Sequence, residues 1–235
     1  MALPKLNDSP KYDLVIPSSK QKVRYRPYLV KEEKVLMMAM ESQDMNAVLN
    51  TVVDTIVACV DEPIEKKKLA VFDVEYMFTQ IRSKSVGETS KVGVKCEHCE
   101  TSNDIEVDVS SIVIDVPEVE NMIQVTPEIT LEMRWPSYND IMDLGITDEK
   151  SMATKSFAMI GKCIASIHTE DERIDTKDVS DKELEEFIDS MTNEQFQKIS
   201  SYIEKMPKLK HDIHFDCSEC GQGNDITLQG MTDFF

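Results

Sequence analysis

With 235 residues, 41% of them hydrophobic and 30% charged, the chain has the apolar content for a conventional core and too much of it for a disordered polymer. Its 44 acidic and 26 basic residues give a formal charge of -18. A surface that negative repels phosphate backbones and anionic membranes, which argues against nucleic-acid and membrane partners. No basic-then-apolar leader and no run of 18 apolar residues occurs, so the expectation is a cytosolic chain without a membrane span, its six cysteines reduced or metal-bound.

In chain order, residues 11–30 place two short apolar-rich runs around Pro17-Ser18-Ser19-Lys20, turn chemistry that predicts a β-hairpin. From Glu32 the pattern becomes helical. A first helix carries VLMMAMES and a second follows Asp44, a candidate N-cap, through MNAVLNTVVDTIVACV. A third helix is predicted from Asp73, with Val74, Met77, Phe78 and Ile81 on one apolar face, ending by Gly87. Of the fourteen methionines, Met37, Met38, Met40 and Met45 read first as core and second as an adaptable partner-binding face.

Lys91 to Val107 alternates around a CxxC motif, and the residues after a second CxxC alternate in the same way, as strands flanking two metal turns would. Ile123–Trp135 adds strands, with Pro127 at an edge or break. Between Ser137 and Met206 the chain is predicted to turn helical, in the segments SYNDIMDL, SMATKSFAMIGKCIASI, DKELEEFIDSM and NEQFQKISSYIEKM, with a polar acidic connection at 168–181. Ser180 with Glu183 and Thr192 with Gln195 are capping boxes. Cys59 and Cys163 lie in apolar runs and read as buried hydrophobes.

The chemistry concentrates in one internal repeat. CEHCETSNDIEV at 96–107 aligns without gaps on CSECGQGNDITL at 217–228, sharing both cysteines and the Asn-Asp-Ile that follows. A CxxC turn presents two thiolates to one ion, and a tetrahedral zinc shell needs two such turns. Cys96, Cys99, Cys217 and Cys220 are therefore predicted to bind one structural zinc ion per chain. A four-thiolate shell leaves no position for water or substrate, so no catalytic role is expected of it. His98 and His214 stand close by as alternative ligands, but four cysteines already fill the shell. A redox reading of the CxxC pairs would need a helix start in a βαβ setting, and both pairs sit between strand-like runs.

No HExxH, Walker loop, GxSxG or GxGxxG is present among seven glycines, so the chain is read as non-enzymatic, with no small-molecule substrate. The fold class is α+β: an N-terminal hairpin and helical region (1–90), a four-cysteine zinc ribbon with its associated strands (91–134 and 207–235), and a helical insertion (135–206). Phe234 and Phe235 end the chain as candidates for docking on the fold or on a neighbour.

RPYLVKEEKVLMMAME, DVEYMFTQIRSKSVGE, the two cysteine turns and the terminal DFF resemble the baseplate hub protein family of T-even-like contractile-tailed bacteriophages, over nearly the whole chain. The resemblance implies a non-enzymatic structural or assembly protein of the tail baseplate hub. Other baseplate or hub proteins would be its partners, in the cytoplasm of the infected bacterium or in the tail of the virion. The competing reading is a zinc-ribbon regulator that binds nucleic acid or the transcription machinery, for which Lys20, Lys22, Arg24 and Arg26 form the basic candidate face. The third is a zinc enzyme with an open coordination position. The many acids on the cysteine hairpins, among them Glu97, Asp104, Glu106 and Glu219, argue against the regulator.

Overall fold

A computed structural model describes residues 9–144 and 152–234; Phe235 and the predicted helix start at Ser151 lie outside the described residues. In chain order the elements are β1 (Tyr12–Val15), β2 (Lys22–Tyr25), α1 (Val30–Glu41), α2 (Met45–Cys59), α3 (Val71–Ser85), β3 (Thr89–Lys95) and β4 (Ser102–Asp108). There follow β5 (Met122–Gln124), β6 (Thr130–Met133), α4 (Tyr138–Asp143), α5 (Met152–Lys162), β7 (Ile164–His168) and β8 (Arg173–Asp175). The chain closes with α6 (Asp181–Asp189), α7 (Asn193–Glu204), β9 (Lys210–Asp216) and β10 (Gly223–Gln229). The described residues fall into two units, one bounded as Met1–Lys66, Phe72–Asp115 and Lys208–Phe235, the other as Lys67–Val71 and Val116–Pro207.

In the first unit β1 and β2 pair antiparallel, with Leu14 opposite Val23 and both turned inward. The connecting turn is held from outside the hairpin: the Ser18 amide (2.8 Å) and hydroxyl (2.5 Å) donate to the buried Asp73 carboxylate of α3. At the start of α1 the Leu29 amide donates to Glu32 at 2.8 Å, and Arg26 meets the same carboxylate at 3.0 Å. Asp44 caps α2 as its sequence position predicts, accepting from the Asn46 (2.9 Å) and Ala47 (3.3 Å) amides. α2 buries Val52, Val53, Ile56 and Cys59, and α3 buries the expected face of Val74, Met77, Phe78 and Ile81. The methionines of α1 depart from expectation. Met37, Met38 and Met40 are 55–59% exposed, because Glu32 and Leu36 occupy the buried side of that helix, and Met45 at the start of α2 is 41% exposed.

Two further hairpins complete the unit, β3 with β4 and β9 with β10, each a separate two-stranded antiparallel sheet. Strand alternation turns Val94 and Val107 of one, and Ile213, Phe215 and Leu228 of the other, into a shared core with Val109, Ile112, Leu209 and Phe234. Phe234 is fully buried, and its carbonyl accepts from the Ser90 hydroxyl at 2.7 Å, so the C-terminal segment packs into this core.

The second unit is a four-stranded antiparallel sheet in the order β5-β6-β7-β8 with helices packed on it. Here the helical reading is corrected: α5 stops at Lys162, and Ile164–His168 is a strand paired with β6 and β8. The acidic connection also contains strand β8. Three helices start on capping boxes: Ser137 with Asp140, Ser180 with Glu183 and Thr192 with Gln195. Cys163 is fully buried among Leu131, Met133, Ile164, Leu184 and Ile199, the core role predicted for it.

Candidate metal centre

β3 and β4, and likewise β9 and β10, run into each other through the two CxxC turns. Both turns close with the same backbone bonds: the Cys96 amide donates to Thr101 and the Cys217 amide to Gln222, each at 2.9 Å. The Glu100 amide returns to the Cys96 carbonyl (3.0 Å), as the Gly221 amide does to that of Cys217 (2.9 Å). Completing so tight a turn needs one residue in the left-handed region. That residue is Glu100 (φ 61°) in the first turn and Gly221 (φ 68°) in the second. Equivalent positions of the repeat thus adopt the same conformation with different ease, since only glycine enters it without steric cost.

The two turns face each other. The sulfurs of Cys96, Cys99, Cys217 and Cys220 all lie within 4.8 Å of one another, with Cys96 Sγ 3.7 Å from Cys220 Sγ and Cys99 Sγ 3.6 Å from Cys217 Sγ. An ion held tetrahedrally by thiolates at ~2.3 Å requires sulfurs about 3.8 Å apart, so the donor set is compatible with a metal site. Cys96 and Cys217 are buried, Cys99 and Cys220 exposed.

Two asparagines that the repeat shares, and that sequence reasoning noted without assigning a role, tie the turns together. Asn103 of β4 accepts at Oδ1 from the Ser218 amide (2.9 Å) and hydroxyl (2.8 Å) on the opposite turn, and its Nδ2 lies 3.7 Å from Cys217 Sγ. Asn224 of β10 does the converse, accepting from the Glu97 amide at 2.9 Å. Each also donates to its own turn, Asn103 to the Thr101 carbonyl and Asn224 to that of Gln222, both at 2.9 Å. Both asparagines are buried, and their bonding explains why Asn follows each CxxC at the same offset. The repeat alignment was the available signal; the crossing of the contacts was not visible in it.

Electrostatics favour thiolate at two of the four positions. The backbone amides of Cys220 and Glu219 pull the Cys217 thiol down to about 6. Burial opposes ionisation of Cys96, but the His98 and Cys99 amides and the Asn224 side chain outweigh it and lower that thiol too. At Cys220 the Gln222 amide favours thiolate, yet desolvation and the crowding Cys99, Cys217 and Cys96 sulfurs push the thiol up to about 12. Four thiolates this close need a cation to coexist. The two core cysteines behave otherwise: burial raises Cys59 to about 11 and Cys163 to about 12, as expected of inert thiols.

His98 and His214 are both exposed and stand outside the sulfur cluster; His214 pairs instead with Asp225 at 2.7 Å. Of the basic residues near the N-terminal hairpin, Arg24 lies 3.7 Å from Asp61 and 3.5 Å from Glu62, and Arg26 is engaged with Glu32.

The family described as T4 bacteriophage base plate protein matches residues 9–235. The chain belongs to the T4 bacteriophage base plate protein family. The chain is also 26% identical over 162 residues to the baseplate hub assembly protein gp26 of Enterobacteria phage T4, covering 68% of this chain and 70% of that protein. No solved structure matches the chain. Among the described residues, no helix is long and apolar enough to cross a membrane.

Proposed function

We propose that this protein is a non-enzymatic structural or assembly component of a phage tail baseplate hub, its cysteine hairpins joined by one structural zinc ion. The observation that carries the zinc reading is the convergence of four sulfurs from turns 121 residues apart, at positions 96 and 217, at the spacing a tetrahedral shell requires. Cys96, Cys99, Cys217 and Cys220 would hold the ion. Bound there, it supplies charge neutralisation for four thiolates and a cross-link between the ends of a long loop. The chain's own residues do the remaining work: the turn amides and the two asparagines orient the sulfurs before the ion arrives.

A closed sulfur shell offers no position for a substrate, which favours a structural protein over an enzyme. The hub role rests on family membership and on the likeness to a hub assembly protein. Its partners would be other baseplate or hub proteins, met in the cytoplasm of the infected bacterium or in the tail of the virion. A nucleic-acid regulator is disfavoured by the -18 charge and by the acidic partners of Arg24 and Arg26.

Metal analysis of the purified protein, combined with co-purification against a mixture of baseplate hub proteins, tests both halves. One zinc per chain and a stable hub complex is the expected result. Absence of metal from protein purified without chelator removes the zinc staple; zinc without any hub complex removes the hub role.

A further inference from the structure

Exposed large apolar residues are concentrated on this protein. Seven of the twelve found among the described residues fall between Leu29 and Met45, five of them on the twelve-residue helix α1. Val30 (79% exposed), Met37 (58%) and Met38 (59%) share the outward stripe with Lys34 and Glu41, at the i, i+4, i+7, i+8, i+11 spacing of one helix face. Val35 and Met40 broaden the stripe on either flank, and Met45, at the start of α2, is exposed as well. An isolated apolar residue at a surface needs no explanation, but a contiguous stripe does. Its chemistry is specific as well. Methionine is flexible and polarizable, and proteins that bind several helices use it to adapt one surface to different side chains.

We propose that the outward face of α1 docks a basic amphipathic helix of another protein. Charge selects this occupant. Within the stripe Lys34 and Glu41 offset each other, Lys31 lies 3.3 Å from Glu32, and the chain as a whole carries -18. A second copy of the chain would bring an equal negative charge into contact at close range, where screening over a Debye length of ~8 Å is incomplete. A helix with apolar residues at i, i+3 or i+4 and i+7, rimmed by Lys and Arg, matches both the apolar stripe and the net negative charge of the chain. α1 is only about 18 Å long at 1.5 Å per residue. A contact of that size suits a reversible complex rather than a permanent one.

This goes beyond the proposed hub role, assigning a surface and a partner chemistry where that role assigns only a class of partners. The test titrates the full chain, at physiological salt, into a labelled 20-residue amphipathic peptide of Leu and Lys. The comparisons are a scrambled peptide of identical composition and a version with Glu in place of Lys. The amphipathic Lys peptide should bind, the other two should bind at least about tenfold more weakly, and Met37→Ser/Met38→Ser should weaken the first by about tenfold or more. Both methionines are exposed, so the double variant should keep the wild-type thermal melt and metal content, which separates failure here from failure of the zinc staple. Equal binding of the scrambled peptide, or equal binding by wild type and double variant, overturns the proposal. So does a wild-type dimer in sedimentation that the double substitution dissociates, since the face would then belong to a second copy.

Discussion

Asn103 and Asn224 occupy equivalent positions of the internal repeat, and each accepts a hydrogen bond from a backbone amide on the other's cysteine turn: Ser218 to Asn103 and Glu97 to Asn224, both at 2.9 Å. The two contacts brace the turns against each other independently of any ion. Groups that orient metal ligands from one shell out commonly contribute ten- to a hundredfold in affinity. Asn103→Ala and Asn224→Ala should each raise the zinc dissociation constant by about that factor while leaving the stoichiometry at one. Competition with a chromophoric chelator measures it. Unchanged affinity in both variants would show the asparagines to be packing groups only.

The ligand cysteines and the core cysteines should separate cleanly. Cys96→Ser or Cys217→Ser removes one donor from the shell and leaves the remaining thiolates mutually repelling, so soluble yield and bound zinc should both fall severely. Cys59→Ala and Cys163→Ala delete one buried sulfur each, costing about 1 kcal/mol through lost packing, with zinc content unchanged. Alanine is the right probe there, because serine would leave a hydroxyl in an apolar core. Metal analysis beside thermal melts of the four variants reads this out; equal melts would sink the staple.

Glu100 and Gly221 make the two turns unequal. Both sit in the left-handed region, at φ 61° and 68°. Glu100→Gly removes a steric cost of about 1 kcal/mol, and Gly221→Ala introduces a similar one. For a chain this size, the first should raise the melting temperature by about 2–4 °C and the second lower it by as much. The same sign of shift in both would mean that turn conformation is not what distinguishes them.

Much of the fold was legible wherever a local chemical signal decides the structure. Asp44, Ser180 and Thr192 mark helix starts because their side chains bond the first free amides, a contact that depends on sequence neighbours alone. The cysteine turns were legible for the same reason, and because the repeat showed them twice. Strand β7 was not. Ile164–His168 continues the apolar run of α5, and a short apolar stretch has no periodicity to separate helix from strand; its pairing with β6 and β8, remote in sequence, decides it. The outward methionines of α1 and the crossed asparagine contacts were hidden likewise, since both depend on which face the tertiary structure covers.

The second unit carries a prediction of its own in Asp140. Its carboxylate accepts from Arg134 through two nitrogens, at 2.7 and 3.0 Å, and from the Ser137 amide (2.7 Å) and hydroxyl (2.6 Å). Burial opposes ionisation, but Arg134 and Ser137 outweigh it and hold the acid below the ordinary carboxylate range. The same pairing raises Arg134. A group whose folded value is depressed contributes its full stabilisation above the unfolded value of ~3.9 and loses it as the pH falls through the lower folded value. Acid should therefore begin to loosen the start of α4 only below about pH 4. Asp140→Asn gives up the charge-assisted bonds at every pH, which should cost about 1.5–3 kcal/mol at neutrality. The stability difference between wild type and variant should be greatest at neutral pH and shrink as the acid protonates. Urea melts at pH 7, 5 and 3.5 measure it; a difference that stays constant across the three would show that ionised Asp140 contributes nothing through Arg134.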